Sequence, residues 1–310
     1  MAVLSETATA RVDMTKSILL TGSNGFTGKA LSSALSARGF VVIELSGPTS
    51  EAPGKISCDL NDRAALFRVL NEVQVDCVIH LAAISFVASA DPQAFYRTNV
   101  VGTCNLLDVM VDKRPKQVII ASSANVYGVP ISSVPLSEDS PLLPINHYAC
   151  SKLAMEHMAW TFQDLLPLAI VRPFNYTGVG QEDHFLIPKI VMHFAKKAPF
   201  IELGNLDISR DFTGINDVVS AYLALIDSNI HGETLNISSG VSISLREIID
   251  ELRQLSGHDL EIRSNPGFVR STEIKSLCGD SGKLQSLTGW KITQPIRTIL
   301  KSMLDAASGR

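Results

Sequence analysis

Short apolar runs alternate with longer amphipathic stretches through the first half of this chain. Runs at 17–20, 40–45, 77–81, 118–121 and 168–171 are apolar enough, and short enough, for strands buried on both faces. Between them, apolar positions recur at helical spacing over 29–38, 63–72 and 95–111, and again from 148 toward 165. Strands separated by helices predict crossover connections, and so a parallel sheet covered by helices on both sides. After Arg172-Pro173 the rhythm breaks. Gly178, Gly180, Pro188 and Gly204 interrupt short elements, with helices expected over 217–227 and 245–255 and a strand over 234–237. The chain is expected to divide into an unpatterned, disordered leader (1–16), a strand–helix domain (17–172), and a smaller C-terminal lobe (173–310) with segments that return to the first domain.

Composition narrows the class. The chain has 310 residues, 45% hydrophobic and 19% charged, which fits a soluble globular protein. A net charge of −4 gives no basic surface for nucleic acid. No apolar run approaches the ~20 residues of a membrane span, and the N-terminus shows no charged-then-apolar signal. Cys58, Cys77, Cys104, Cys150 and Cys278 are scattered without a C-x-x-C pair. They read as free thiols in a reducing cytoplasm, and no metal site is expected.

The first strand runs directly into Thr21-Gly22-Ser23-Asn24-Gly25-Phe26-Thr27-Gly28 and then a helix. Glycines in that context let the backbone turn tightly and approach a pyrophosphate seated on the helix N-terminus. Gly22, Asn24, Gly25, Phe26 and Gly28 are therefore candidate cofactor residues, and the expected fold is a Rossmann-type doubly wound parallel sheet with a smaller C-terminal substrate-binding lobe. The second strand ends on Ser46, where an acid would take the ribose of NAD. Without that carboxylate NADP(H) is favoured and NAD(H) remains possible, although no arginine follows to grip a 2′-phosphate. Glu44 is expected on the other side of its strand. Asp59 and Leu60 are placed beside the adenine. Leu81, Ala82 and Ala83, with Asn99 from the next helix, line the cofactor crevice, and His80 reads as structural.

Tyr148-Ala149-Cys150-Ser151-Lys152 carries the chemistry. Tyrosine and lysine four apart share one helix face. The ammonium is expected to lower the phenol toward working pH, so that Tyr148 exchanges a proton with a carbonyl or hydroxyl oxygen.

The glycine turn, His80–Ala83, Ser122–Gly128, Tyr148–Lys152 and Arg172-Pro173-Phe174-Asn175 together resemble the extended short-chain dehydrogenase/reductase family, whose members act on nucleotide sugars. The resemblance covers residues 17 to about 300. It implies that Ser123, Tyr148 and Lys152 are the catalytic set, with Tyr148 and Lys152 also touching the cofactor. In the family's 4,6-dehydratases an Asp-Glu pair follows the catalytic Ser/Thr; here Ala124-Asn125 stands there, so dehydration is not expected. The segments 172–181, 210–212, 236–240 and 287–290 are most similar to the GDP-4-keto-6-deoxy-D-mannose reductase branch. That likeness implies a GDP-sugar substrate and a GDP-D-rhamnose product. It places Asn175, Lys189, Arg210 and Arg270 on the diphosphate and Glu273 on the nucleoside. It also implies a cytoplasmic homodimer joined by a four-helix contact. A C4 epimerase with tightly held NAD and a GDP-6-deoxy-D-talose-forming reductase remain open, as does a dinucleotide-sensing regulator without turnover.

Overall fold

Seven strands make the central sheet: β1 (Ser17–Thr21), β2 (Val41–Ser46), β3 (Ile56–Ser57), β4 (Cys77–His80), β5 (Gln117–Ala121), β6 (Leu168–Pro173) and, far along the chain, a strand at Glu233–Ile237. The lobe adds β7 (Asn175–Thr177), β8 (Phe200–Leu203), β9 (Ser209–Gly214), β11 (Ser242–Ser244), β12 (Glu261–Ser264) and β13 (Ser276–Leu277), which makes Glu233–Ile237 β10. The computed structural model describes residues 16–48, 54–85, 91–131, 134–268 and 274–309. The leader therefore lies outside the described residues, apart from Lys16.

The sheet order is β10-β6-β5-β4-β1-β2-β3, every pairing parallel. The chain runs outward from β1 to β3, then jumps back across β1 to β4. That reversal opens a crevice at the carboxyl ends of β1 and β4, the usual ligand position in such sheets. One face buries Leu20, Ile79, Leu31 and Leu35 against Val219 and Tyr222 of the helix Ile215–Ser228. The other buries Leu19, Val78, Leu66, Leu106 and Met155 under three helices. The lobe has its own core of Ile190, Phe194, Leu203, Ile248, Leu252 and Leu300. No helix among the described residues is long and apolar enough to cross a membrane.

Three sequence expectations change. The helix expected over 95–111 is three pieces: Pro92–Tyr96, a π-helical segment Arg97–Gly102, and Thr103–Lys113. A wide turn of this kind re-aims a side chain out of helical register, and it carries the buried Asn99. The Tyr148 helix spans His147–Trp160 and ends five residues short of 165, where Thr161–Leu165 turns back on carbonyls of the last turn. Pro188, read as a loop breaker, sits in the first turn of the helix Leu186–Ala195, where a missing N–H costs nothing.

Candidate active site

The glycine turn lies over the crevice. Gly22 has φ +72°, and a Cβ there would come within 2.7 Å of the Ala82 backbone nitrogen. A Cβ on Gly28 would meet the Gly22 oxygen at 2.2 Å. Both positions require glycine, because the turn, β4's end and the helix Phe26–Ala37 touch through backbone alone. That helix begins after Gly25 with no side-chain cap and no acid in its first turn. Its N–H groups and positive dipole end suit an anion. The residues present therefore fit a dinucleotide pyrophosphate. Leu81, Ala82 and Ala83 are half-buried at the mouth, and the Ala82 N–H donates to Thr21 Oγ1 at 3.1 Å. Ser46 is buried, its hydroxyl facing the Ile56 carbonyl at 3.4 Å. Asp59 is exposed and accepts from the Asn61 N–H and Nδ2, a strand-end cap, while Leu60 is core.

Glu44 is on the face carrying the glycine turn, not on the opposite one. Side chains two apart on a strand share a face, so Glu44 follows Ser46. Its carboxylate accepts from Ser32 of the helix Phe26–Ala37 and lies 2.5 Å from Lys55 Nζ.

Ser123, at the end of β5, and Tyr148, in the first turn of its helix, meet across the crevice. Their hydroxyls share a hydrogen bond, and both residues are buried. Ser123 Oγ also accepts from the Asn125 N–H at 3.2 Å and from Asn125 Nδ2 at 3.1 Å. A serine hydroxyl has two lone pairs and one proton. With Asn125 filling the acceptor sites, that proton points toward Tyr148 and the crevice. The Tyr148 ring packs edge-on against Phe95.

The expected lowering of Tyr148 by Lys152 is not what this structure shows. Burial pushes the phenol up to about 12, against the opposing Ser123 bond. Lys152 Nζ donates to the Ala121 carbonyl at 2.8 Å. Burial pulls the ammonium down to about 8, with Glu156 resisting. Tyr148 is thus a protonated phenol at neutral pH, the form that donates.

Asn99, expected to line the cofactor crevice, is instead fully buried behind this pair. Asn99 Nδ2 donates to Ser151 Oγ at 2.9 Å, its Oδ1 accepts from the Ile84 N–H, and Ser151 Oγ donates to the Tyr148 carbonyl. Asn99 thereby holds the Tyr148 helix against the crevice wall. His80 is structural as expected. It bridges Thr21 and Thr103 at 2.7 and 2.8 Å, and burial lowers it to about 3, so it is neutral. Glu156 is buried on Arg172 at 2.6 Å and accepts from Ser122. Arg172 continues to Tyr127, whose hydroxyl donates to Asn236 of β10 at 2.7 Å. Tyr176, inside the Arg172–Gly178 stretch, stacks on Phe26 and bonds Thr27 at 2.8 Å. For Ser122, Tyr127, Arg172 and Tyr176 the only hint was position within a motif, and Glu156 had none.

On the lobe side, β7 and β9 run parallel with Asn175 opposite Phe212, so exposed Asn175 lies one strand over from the stretch carrying Arg210. Arg210 donates to the Ser209 carbonyl at 2.8 Å. Lys189 Nζ sits 4.7 Å over the Phe268 ring and donates to the Glu202 carbonyl. Asp211, fully buried, accepts from the N–H groups of Ser239, Gly240 and Gly279 and from the Ser239 hydroxyl. Arg270 and Glu273 lie outside the described residues.

Comparison with known proteins agrees with this geometry. Residues 19–303 match the family model described as GDP-mannose 4,6 dehydratase. A GDP-6-deoxy-D-talose 4-dehydrogenase of Aggregatibacter actinomycetemcomitans is 38% identical, over 92% of this chain and 96% of its own. A GDP-6-deoxy-D-mannose reductase of Pseudomonas aeruginosa is 33% identical, over 94% and 97%. Among solved structures, one from Burkholderia cenocepacia J2315 superposes with a TM-score of 0.89 at 40% identity, covering 96% of this chain and 99% of its own. The Pseudomonas aeruginosa protein RMD, complexed with NADPH, gives 0.83 at 32% identity, covering 96% and 100%.

Proposed function

We propose a function from the premise that this chain belongs to the GDP-mannose 4,6-dehydratase family of extended short-chain dehydrogenase/reductases. It is an NAD(P)H-dependent nucleotide-sugar oxidoreductase that reduces the C4 ketone of GDP-4-keto-6-deoxy-D-mannose to GDP-D-rhamnose. The observation that carries this reading is the Ser123–Tyr148 pair, with Asn125 on the serine acceptor sites and Ala124-Asn125 where an acid pair would stand.

The nicotinamide supplies a hydride when bound. Ser123 donates a hydrogen bond to the ketone oxygen. Tyr148 gives that oxygen its proton as negative charge develops there, so no alkoxide is left buried. Lys152, charged below about pH 8, stabilises the phenolate left behind. Asn175, Lys189 and Arg210 are proposed to hold the diphosphate, with Arg270 beside them and Glu273 at the nucleoside. The likeness to the talose dehydrogenase supports a second reading, attack on the other face to give GDP-6-deoxy-D-talose.

The enzyme incubated with GDP-4-keto-6-deoxy-D-mannose and NADPH should yield a 6-deoxyhexose whose C4 configuration NMR assigns. Absence of turnover with either NADPH or NADH would defeat the reading. Incubation with GDP-mannose and NADP should release no water from the sugar, because Ala124 and Asn125 cannot act as acid or base. A product lighter by one water would make this a dehydratase.

A further inference from the structure

Lys55 stands at the start of β3, far in sequence from the glycine turn, yet it reaches that turn. Its ammonium donates to Asn24 Oδ1 at 2.8 Å and to Ser23 Oγ at 3.2 Å. The sheet register explains the reach. Leu45 pairs with Ile56 across β2 and β3, so Lys55 falls beside Glu44, and the Gly22 N–H is bonded to the Leu45 carbonyl. The Lys55 side chain is 20% exposed, unusually low for a lysine. It also pairs with the Glu44 carboxylate at 2.5 Å, so the ammonium is shared between Glu44 and the turn.

This corner is where the adenosine ribose of a dinucleotide lies when its pyrophosphate sits on the helix N-terminus. The position that would repel a 2′-phosphate carries Ser46, whose side chain has no charge. We propose that Lys55, with Ser23 and Asn24, forms the subsite for the 2′-phosphate of NADP(H), and that Lys55 is the residue that sets the cofactor preference. An ammonium is a compact donor well suited to a phosphate dianion. Glu44 has a defined part: it neutralises Lys55 and holds it at the turn when no phosphate is there, which keeps the preference moderate. The inference rests on the nicotinamide-cofactor reading above and deepens it.

The test uses binding, so it stands apart from sugar chemistry. Titration calorimetry compares 2′,5′-ADP with 5′-AMP on the full chain. The unaltered protein should bind 2′,5′-ADP more tightly. Lys55→Met should weaken 2′,5′-ADP by about ten- to a hundred-fold, the scale of one charge-assisted contact, and leave 5′-AMP within about two-fold. Lys55→Gln, which keeps a donor for Asn24, should show the same selective loss, and it decides the matter if the methionine variant folds poorly. Equal weakening of both ligands would mean that Lys55 only braces the turn. No preference in the unaltered protein, or an unchanged preference in both variants, would also overturn the assignment. Failure here leaves the ketone-reductase reading untouched, because that is read from the sugar product.

Discussion

The strand–helix half and the C-terminal lobe bury polar groups for different ends. In the first half one set of buried polar side chains gathers at a crevice: Ser123 on Tyr148, Asn99 on Ser151, Lys152 on the Ala121 carbonyl; His80 and the Glu156–Arg172 pair brace the sheet behind it. In the lobe they hold strands and loops together. Asp211 gathers donors from the segments around Ser239 and Gly279, and buried Asp217 accepts from Thr293 and Gln294. A seven-stranded parallel sheet is ordered largely by its backbone ladder, so some of its buried polar groups are left for chemistry. The lobe's strands are split between a four-stranded and a two-stranded sheet and are pinned by buried carboxylates. Removing a side chain should therefore cost turnover in the first half, and stability or affinity in the second.

The largest effect expected is on Tyr148→Phe. It keeps the ring against Phe95 and removes only the transferable proton, so turnover should fall by about two to four orders of magnitude, or about 3–5 kcal/mol in barrier. The melting temperature should hold. Steady-state kinetics with near-normal turnover would remove Tyr148 from the chemistry and blur the contrast. Asp211→Ala should do the reverse, leaving several buried donors unpaired at a cost on the order of 3 kcal/mol. A urea midpoint that drops with an unchanged slope would show it; an unmoved midpoint would mean that the lobe does not depend on its carboxylate.

Arg210→Ala sharpens the contrast in affinity. A contact made equally in ground and transition states raises KM without touching kcat. The expected rise for the sugar nucleotide is about ten- to a hundred-fold, from a charge-assisted bond. A collapse of kcat alone would put Arg210 at the reacting carbon. The smallest effect is with pH. Lys152 is held near 8 and Tyr148 near 12, so both carry their protons at neutrality. As pH rises through about 8, Lys152 loses its charge while Tyr148 keeps its proton. The reduction rate should be level below about 8 and fall above it, by at most about ten-fold per unit. A level profile up to pH 10 would show that the lysine charge is idle.

The chain by itself determined what depends on neighbours within about ten residues. A glycine turn must follow a strand and open a helix, because only that order exposes helix N–H groups to an anion. Tyr148 and Lys152 must share a face, because helical geometry puts fourth neighbours together. Alternating short and long apolar stretches dictated the parallel sheet. What the tertiary structure decided depends on which strands lie side by side. Glu44 and Lys55 meet through the β2–β3 register, and Lys55 reaches the glycine turn because β1 is β2's other neighbour. Asn99 faces Ser151 because a π-turn rotates it out of the helical pattern, which no periodicity count anticipates. The Tyr148 phenol is raised rather than lowered because burial outweighs its polar neighbours, and burial is a property of the packed whole, not of a spacing.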